Sequence, residues 1–157
     1  MFKFRKAAFQ SSLFNHETFD APFLQDVRNC RHSLIIESPF IRIKRVNRLM
    51  PVLRKLRKQG VRIVINTRNP IEHDDRDYQI QAAQAVAELQ SVGVDVLYTV
   101  RHHRKLAIID SNIIWEGSLN ILSYYDSCEI MRRITSEVEA ETLINFIGLQ
   151  KYLQDEN

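Results

Sequence analysis

The stretch from His103 to Asn120 reads HRKLAIIDSNIIWEGSLN and decides how the rest of the chain is interpreted. Its polar residues follow the form H-x-K, four residues, D, six residues, G-S-x-N. The apolar run 106–109 predicts a buried strand, the residues Asp110 to Asn112 predict a turn, and 113–115 predicts the returning strand. The stretch therefore predicts a strand–turn–strand unit with chemically useful side chains at its ends.

These polar side chains suit a phosphodiester. His103 and Lys105 are two positions apart, so on a strand they share one face. An imidazole with an unperturbed pKa of about 6.5 can be a nucleophile or a proton donor, and an ammonium can hold phosphate oxygens. Gly117 permits close approach of a ligand, and Ser118 and Asn120 can donate hydrogen bonds to an anion. His103 alone is better explained by an ordinary hairpin, but the whole set favours a site.

The pattern resembles the HKD signature of the phospholipase D superfamily, followed by that superfamily's Gly-Ser-x-Asn tail. The order of elements from about Ser33 to Phe146 is similar to that of its small nucleases with one motif per chain. It also resembles the phospholipase D-like nuclease domains attached to bacterial helicase and restriction-type proteins. The resemblance implies an α/β fold, namely a layered α-β-α sandwich with a mixed, mostly parallel central sheet.

The resemblance also implies a mechanism. In the family, two HKD motifs meet at a two-fold axis. One histidine attacks phosphorus to form a phosphohistidine, the other protonates the leaving oxygen, and water completes hydrolysis without a metal or another cofactor. This chain contains one such motif. The resemblance therefore implies a homodimer in which His103 of each subunit is nucleophile or acid.

Further roles follow from matching the motif position by position. Lys105 and Asn120 would bind phosphate, with Ser118 assisting. Glu129 matches the family carboxylate that hydrogen-bonds the histidine and fixes its tautomer. Asp110 is the aspartate of the motif and belongs to the catalytic set by that match. Its predicted position in a turn suits bracing of the two strands better than contact with substrate.

A basic segment precedes the motif. The 27 residues from Arg42 to Arg68 include ten Lys or Arg and no Asp or Glu. A basic helix surface can simply keep a protein soluble, but the lack of compensating acid favours an anionic partner. The residues predicted to bind nucleic acid are Arg42, Lys44, Arg45, Arg54, Lys55 and Lys58.

Other polar residues receive weaker interpretations. Glu37 follows an apolar run; it can reach a site at the end of that strand, although a surface or loop-capping role is favoured. His102 beside His103 invites comparison with a metal site. Neighbouring strand positions face opposite ways, and no further Cys or His has matching spacing, so no metal is predicted.

Hydrophobic periodicity alternates between helices and strands along the chain. Such alternation is typical of an α/β sheet with helices on both faces. Ile80, Ala83, Ala87 and Leu89 are predicted to form the core face of the third helix. Residues 1–16 are undecided between an arm and an extra strand. The predicted helices cover 20–30, 48–59, 76–91 and a final segment capped by Ser136, and the predicted strands cover 34–36, 61–65, 94–100, 106–109, 113–115 and 129–134.

Length and composition limit the remaining possibilities. A chain of 157 residues with 45% hydrophobic and 26% charged residues predicts one globular domain spanning 1–157, which can also be a part of a larger helicase or restriction protein. No apolar run is long enough for a membrane span and no signal peptide is recognised, so a cytoplasmic location is expected. Cys30 and Cys128 are expected to be reduced thiols.

The sequence thus predicts a metal-independent phosphodiesterase, above all a nuclease acting on DNA. Two other classes of function remain open. A non-catalytic nucleic-acid-binding module would keep the fold, although the intact motif argues against it. A phospholipid-cleaving or phosphatidyl-transferring enzyme would use the same chemistry, although such enzymes usually carry two motifs in one longer chain.

Overall fold

A computed structural model describes residues 10–123 and 126–154. Short 3₁₀ turns occupy Pro70–Glu72 and Gln150–Tyr152. The described residues otherwise form seven strands and four α-helices, in the order β1 Gln10–Asn15, α1 Asp20–Arg28, β2 Ser33–Glu37, α2 Ile43–Lys58, β3 Arg62–Thr67, α3 Arg76–Ser91, β4 Asp95–Tyr98, β5 Leu106–Ile109, β6 Ile113–Gly117, β7 Ile130–Thr135 and α4 Glu137–Ile147.

The seven strands form one mixed sheet in the order β1-β7-β6-β5-β2-β3-β4. The predicted mixed α/β sheet is confirmed, and five of its seven strands (β1, β6, β2, β3 and β4) run in the same direction. Among neighbouring strands only β2–β3 and β3–β4 pair in parallel, each pair being joined by a helical crossover; the other four pairs are antiparallel. Within 1–16, β1 is an edge strand, while 1–9 lie outside the described residues.

The helices cover the two faces of the sheet unequally. The larger core lies on the face packed by α1, α2 and α3, around Trp115, Phe19 and Phe23. The smaller core packs Ile144 and Ile147 of α4 against Ile35, Val64 and other sheet residues. The predicted α-β-α layering is therefore present, with three helices on one face and one on the other.

The hairpin of β5 and β6 follows the sequence prediction. β5 matches the predicted strand residue for residue, and the turn places Asp110 and Ser111 at positive φ, 53° and 50°. Aspartate tolerates this left-handed conformation because its short side chain can bond locally. The hairpin sets the register of the sheet, with Leu106 opposite both Glu37 of β2 and Glu116 of β6.

Two helices differ from their predictions in informative ways. α2 begins at Ile43 rather than 48, since its amide N–H donates to the side chain of Gln81, a contact across the fold. α3 has the predicted bounds and is capped by Asp75, but its core face is shifted. Ile80 is 58% exposed, and of the four predicted core residues only Leu89 is buried. The buried residues of α3 are Tyr78, Ala82, Ala85, Val86 and Leu89.

Within residues 10–123 and 126–154, none of the helices combines the length and the apolar character that crossing a bilayer requires.

Candidate active site

The predicted site lies at one end of the strands in the middle of the sheet. β2 and β3 end on this side, and antiparallel β5 begins there, because Glu37 at the end of β2 pairs with Leu106 at the start of β5. His103 and Lys105 occupy the loop just before β5, not the strand itself. The topology thus places both residues beside the strand ends that lead into the basic segment.

His103 and Lys105 are in direct contact. The Lys105 Nζ lies 3.1 Å from the His103 Nδ1 and donates to the His103 carbonyl oxygen at 3.0 Å. Burial lowers the pKa of Lys105 below its ordinary value of 10.5, while the nearby carboxylate of Glu129 acts in the opposite direction and Arg68 lowers it further. The His103 side chain is exposed. The structure therefore joins an accessible imidazole to an ammonium, as the sequence predicted.

Ser118, which follows β6, and Glu129, which precedes β7, form a second hydrogen-bonded group near Lys105. The Ser118 hydroxyl is hydrogen-bonded to the Glu129 carboxylate and accepts from the Ile130 amide at 3.0 Å, and Ser127 donates to the other carboxylate oxygen at 2.8 Å. Glu129 thus bonds these two serines rather than His103. Its charge acts on Lys105, so the carboxylate belongs to the site without the predicted contact to the imidazole.

Gly117 has a packing role at the end of β6. A Cβ atom built on it would lie 2.0 Å from the carbonyl oxygen of Ile130, so no other residue fits between β6 and β7. Its amide also lies 3.4 Å from the Lys105 carbonyl oxygen. Gly117 therefore lets β6 pack closely on β7 and links β6 to Lys105. The sequence predicted a different role for it, close approach to a phosphate.

Asn120 has an incomplete set of hydrogen bonds. Its side-chain Oδ1 is buried and has no hydrogen-bond partner among the described residues. A buried polar atom without a partner costs free energy, which binding of a ligand would recover. Because Oδ1 is an acceptor, it cannot bond to a phosphate oxygen, and the predicted phosphate contact of Asn120 would use its amide N–H donors.

Asp110 is not brought together with the other predicted catalytic residues. It lies at the far end of β5, where its carboxylate accepts from the backbone amides of Arg31, His32 and Ser33 at 2.7–3.1 Å. Burial works against ionisation, but these hydrogen bonds lower the pKa of Asp110 below 3.8. Asp110 therefore fixes the start of β2 to the hairpin turn and does not contact a substrate held at His103.

An ionic network around the buried Glu37 lies beneath the motif. The sequence favoured a surface or loop-capping role for Glu37 over a role at the site, but the residue is fully buried. Its carboxylate accepts from Arg104 at 2.5 and 2.8 Å and from Asn66 at 2.9 Å. Because Arg104 lies between His103 and Lys105, this pair fixes the backbone that carries both. The signal available in the sequence was a Glu directly after a fully apolar strand.

His102 belongs to the same buried layer. Its side chain is buried, and burial lowers its pKa below 6.5, with Glu37 raising it and Arg104 and Arg68 lowering it. Its carbonyl oxygen accepts from Arg68 at 3.1 Å. Among the described residues, no group of three or more His, Cys, Asp or Glu side chains is arranged to hold a metal ion.

The structure separates the predicted nucleic-acid-binding residues into three groups. Arg45 is buried, with its guanidinium bonded to Asp20 at 2.7 Å and to the Ile121 carbonyl oxygen at 3.0 Å, so the prediction of phosphate contact is wrong for it. Arg42 and Lys44 lie at the start of α2, at the edge where β2 ends. The exposed residues at the other end of this helix, toward the opposite edge of the sheet, are Arg54, Lys55 and Lys58.

An open groove of about 470 Å³ borders the motif. His103, Lys105, Gly117 and two apolar side chains contribute to its lining. Those two, Leu13 and Ile130, are 57% and 55% exposed. They lie on the face of the sheet that α4 covers only in part, so an apolar surface remains open directly beside His103 and Lys105.

A mixed seven-stranded α-β-α sandwich with an H-x-K pair before a central hairpin defines a phospholipase D-like domain. The model of the family described as the PLD-like domain of cardiolipin synthase matches residues 23–146, and the chain belongs to this family. The predicted resemblance is thereby confirmed. No curated protein sequence matches the chain.

Solved structures share the fold at low sequence identity. Nuc from Salmonella typhimurium, a phospholipase D family member, superposes with a TM-score of 0.70 at 16% identity, covering 95% of this chain and 99% of that one. NucT from Helicobacter pylori gives 0.69 at 17% identity, covering 92% and 96%. Phosphatidylserine synthase from Haemophilus influenzae gives 0.57 at 12% identity, covering 94% of this chain and 39% of that one.

Proposed function

We propose that this protein is a metal-independent phosphodiesterase that hydrolyses nucleic acid, DNA above all, through a phosphohistidine intermediate. The observation that carries the proposal is the contact between His103 and Lys105 at the rim of an open groove. One side chain supplies the nucleophile and the other supplies the positive charge that a phosphate needs. Both come from one short loop, which the ion pair between Arg104 and the buried Glu37 fixes in place.

The reaction proceeds in two displacements. A neutral imidazole nitrogen of His103 attacks phosphorus, a P–N bond forms, and the P–O bond to the leaving oxygen breaks while an acid delivers a proton to that oxygen. Water then attacks the phosphohistidine, gives up its proton to the same acid–base group, and releases the imidazole. The net change is addition of one water across one P–O bond, with the protein returned to its starting state.

The other side chains stabilise the phosphate during these steps. Lys105 exchanges its contact with His103 for a non-bridging phosphate oxygen, where its charge offsets the growing negative charge. Asn120 donates from its side-chain amide N–H groups to the same phosphate. Glu129 keeps Ser118 in place and limits the loss of positive charge on Lys105.

The acid in this scheme comes from a second copy of the chain. The sequence has one H-x-K motif, so a single chain provides one such histidine. The open groove with exposed Leu13 and Ile130 gives a second copy an apolar surface beside His103. A two-fold interface would bring both His103 side chains to one phosphate, each next to its own Lys105.

The chemistry is tested by cleavage of labelled single- and double-stranded DNA with excess chelator present. Cleavage that continues unchanged supports the proposal, and trapping of a phosphorylated His103 after rapid acid quench would locate the intermediate. Activity that disappears in chelator and returns with Mg²⁺ would contradict the metal-independent route.

Sharing of the site is tested by mixing subunits. Wild type is refolded together with increasing His103→Ala, and activity per wild-type chain is followed against the mutant fraction. A shared site predicts that this activity falls toward zero as mixed dimers form. If it stays constant, each chain works alone and the two-fold site is wrong.

Phosphatidyl transfer is the second candidate, favoured by the description of the matching family model as a cardiolipin synthase domain. It would use the same phosphohistidine, resolved by an alcohol instead of water. Parallel incubation with phosphatidylglycerol vesicles and with DNA separates the two. Products from the vesicles alone would replace the nuclease proposal.

A further inference from the structure

A group of aromatic rings lies on the same edge of the sheet as the motif. Phe40 follows β2, His73 follows β3, and Tyr78 lies in the first turn of α3. The His73 and Tyr78 rings are stacked with centroids 4.1 Å apart, and the Phe40 ring meets each of them edge-on at 6.2 Å. Phe40 and His73 are partly exposed, whereas Tyr78 is buried. Two partly exposed rings therefore pack against a buried one.

Hydrogen bonds hold Tyr78 and His73 in place. The Tyr78 hydroxyl accepts from the Ile41 amide at 3.0 Å. The His73 Nδ1 accepts from the Asp75 amide at 3.1 Å, and the His73 carbonyl oxygen accepts from Gln79 at 2.5 Å. A ring held in place before binding loses little conformational freedom when another flat group stacks on it.

Arginines connect the rings to the motif. The Arg68 guanidinium lies 5.5 Å from the Phe40 ring centroid and also donates to the His102 carbonyl oxygen at 3.1 Å. The positive charge of Arg68 contributes to lowering the pKa of Lys105. On the other side, the Arg42 guanidinium lies 5.9 Å from the Tyr78 ring centroid. Positively charged side chains therefore lie along the aromatic rings, extending away from His103 and Lys105.

We propose that Phe40 and His73 form a stacking subsite for bases of an unpaired nucleic-acid strand whose phosphates run over Lys105, Arg68 and Arg42. Rings interleaved with cations are the surface that unpaired strands require, because each base offers a flat face and each linkage offers a charge. In a duplex those faces are already stacked on neighbouring bases. Exposed Asp74 and Asp77 disfavour phosphates on their side of the rings. On the arginine side the Glu72 carboxylate lies 3.9 Å from the Arg68 Nε, so a phosphate would compete with Glu72 for that guanidinium.

This inference rests on the proposed nuclease function and makes its substrate more specific. Binding is measured by fluorescence anisotropy with the His103→Ala variant, which keeps the strand intact. The probes are a labelled oligothymidylate and an abasic strand of equal length and phosphate number. A stacking subsite predicts roughly ten-fold tighter binding of the strand with bases. Equal affinity for the two strands, or no measurable binding of either, overturns the subsite.

Variants then locate the preference. In the same background, Phe40→Leu keeps apolar bulk but removes the ring, and it should bring the two affinities to within about two-fold; Phe40→Trp should retain the preference. Ile71→Ala is the matched control, since Ile71 is 74% exposed in the neighbouring loop and has no ring, and it should change nothing. A preference that survives Phe40→Leu combined with His73→Ala places stacking elsewhere and overturns the proposal. Thermal unfolding confirms that each variant is folded.

The two proposals fail in different ways. A wild-type protein that does not cleave DNA in chelator contradicts the phosphodiesterase mechanism, whatever its affinity for strands. A protein that cleaves but binds abasic strands equally well contradicts only the stacking subsite.

Discussion

The two ends of β5 carry residues of the same motif, but these residues differ in how fully their polar groups are hydrogen-bonded. Among the described residues, the Lys105 side chain at the start of β5 is hydrogen-bonded to His103 alone, and Asn120 has a buried oxygen without a partner. At the end of β5, Asp110 accepts from three backbone amides and from a thiol. Polar groups with unused bonding capacity mark the end where chemistry is proposed, and saturated groups mark the end that holds the fold.

The substitution His103→Ala tests the proposed chemistry at the start of β5 and should have the largest effect. Because no other side chain offers the same covalent route, turnover of labelled DNA in chelator should fall by at least about 10³-fold. The midpoint of thermal unfolding should change little, since the side chain is exposed. Residual cleavage above a hundredth of wild type would show that another group can attack phosphorus.

Glu37→Gln tests the buried support at the same end. Loss of the charge leaves the partly exposed Arg104 with a weaker partner, which should cost about 2 kcal/mol of stability by denaturant unfolding. The rate should also fall, by roughly ten-fold or more, because the loop carrying His103 and Lys105 is less firmly placed. Arg104→Lys is the matched change, and a full rate in both variants would mean that the pair serves stability alone.

Asp110→Ala tests the other end. It removes the acceptor of three amides, so the free energy of unfolding should fall by about 2 kcal/mol. At temperatures well below unfolding the rate per folded molecule should remain near that of wild type. A large loss of activity in fully folded protein would return Asp110 to the catalytic set and remove the distinction between the two ends.

The same carboxylate predicts a pH dependence of stability. The pKa of Asp110 is lowered in the folded protein, so its contribution is present above the unfolded value of about 3.8 and is lost as pH falls from there toward the folded value. Stability of wild type should therefore decline below about pH 4 more steeply than that of Asp110→Asn. Parallel acid titrations of the two proteins by circular dichroism measure this difference, and identical curves would contradict it.

The smallest effect concerns the two ends of α2. The pair Arg42→Gln and Lys44→Gln should weaken strand binding and reduce the slope of log affinity against log salt by roughly 1 to 2. The triple variant Arg54→Gln, Lys55→Gln, Lys58→Gln should change the slope less, since Lys58 lies about 20 Å further along the helix axis than Lys44. The reverse order would move the binding surface to the far edge of the sheet.

Local patterns in the sequence predicted much of this structure. β5 and α3 have the predicted bounds because an apolar run between turn residues, and an Asp cap followed by a helical period, are short-range signals. His103 and Lys105 meet because two positions in one extended segment hardly depend on the remaining fold. For the same reason the full pattern of polar residues from His103 to Asn120 was sufficient to indicate the family.

Contacts between distant parts of the chain were not predictable in this way. Arg45 is buried because Asp20, which lies 25 positions earlier in the sequence, comes close to it in the fold. Glu37 is buried because it pairs with Arg104, 67 positions away. The core face of α3 was misjudged since alanine fits buried and exposed positions equally well, and only packing against α2 decides between them.

The packing around Asp110 also governs where thiol reagents can attack. The Cys30 thiol is buried, and burial together with the charge of Asp110 raises its pKa to about 12, so it carries almost no thiolate at neutral pH. Cys128 is exposed and directly precedes Glu129. A maleimide dye added to the natural chain would therefore attach beside Ser118 and Glu129, where its emission can report the arrival of a strand without an engineered cysteine.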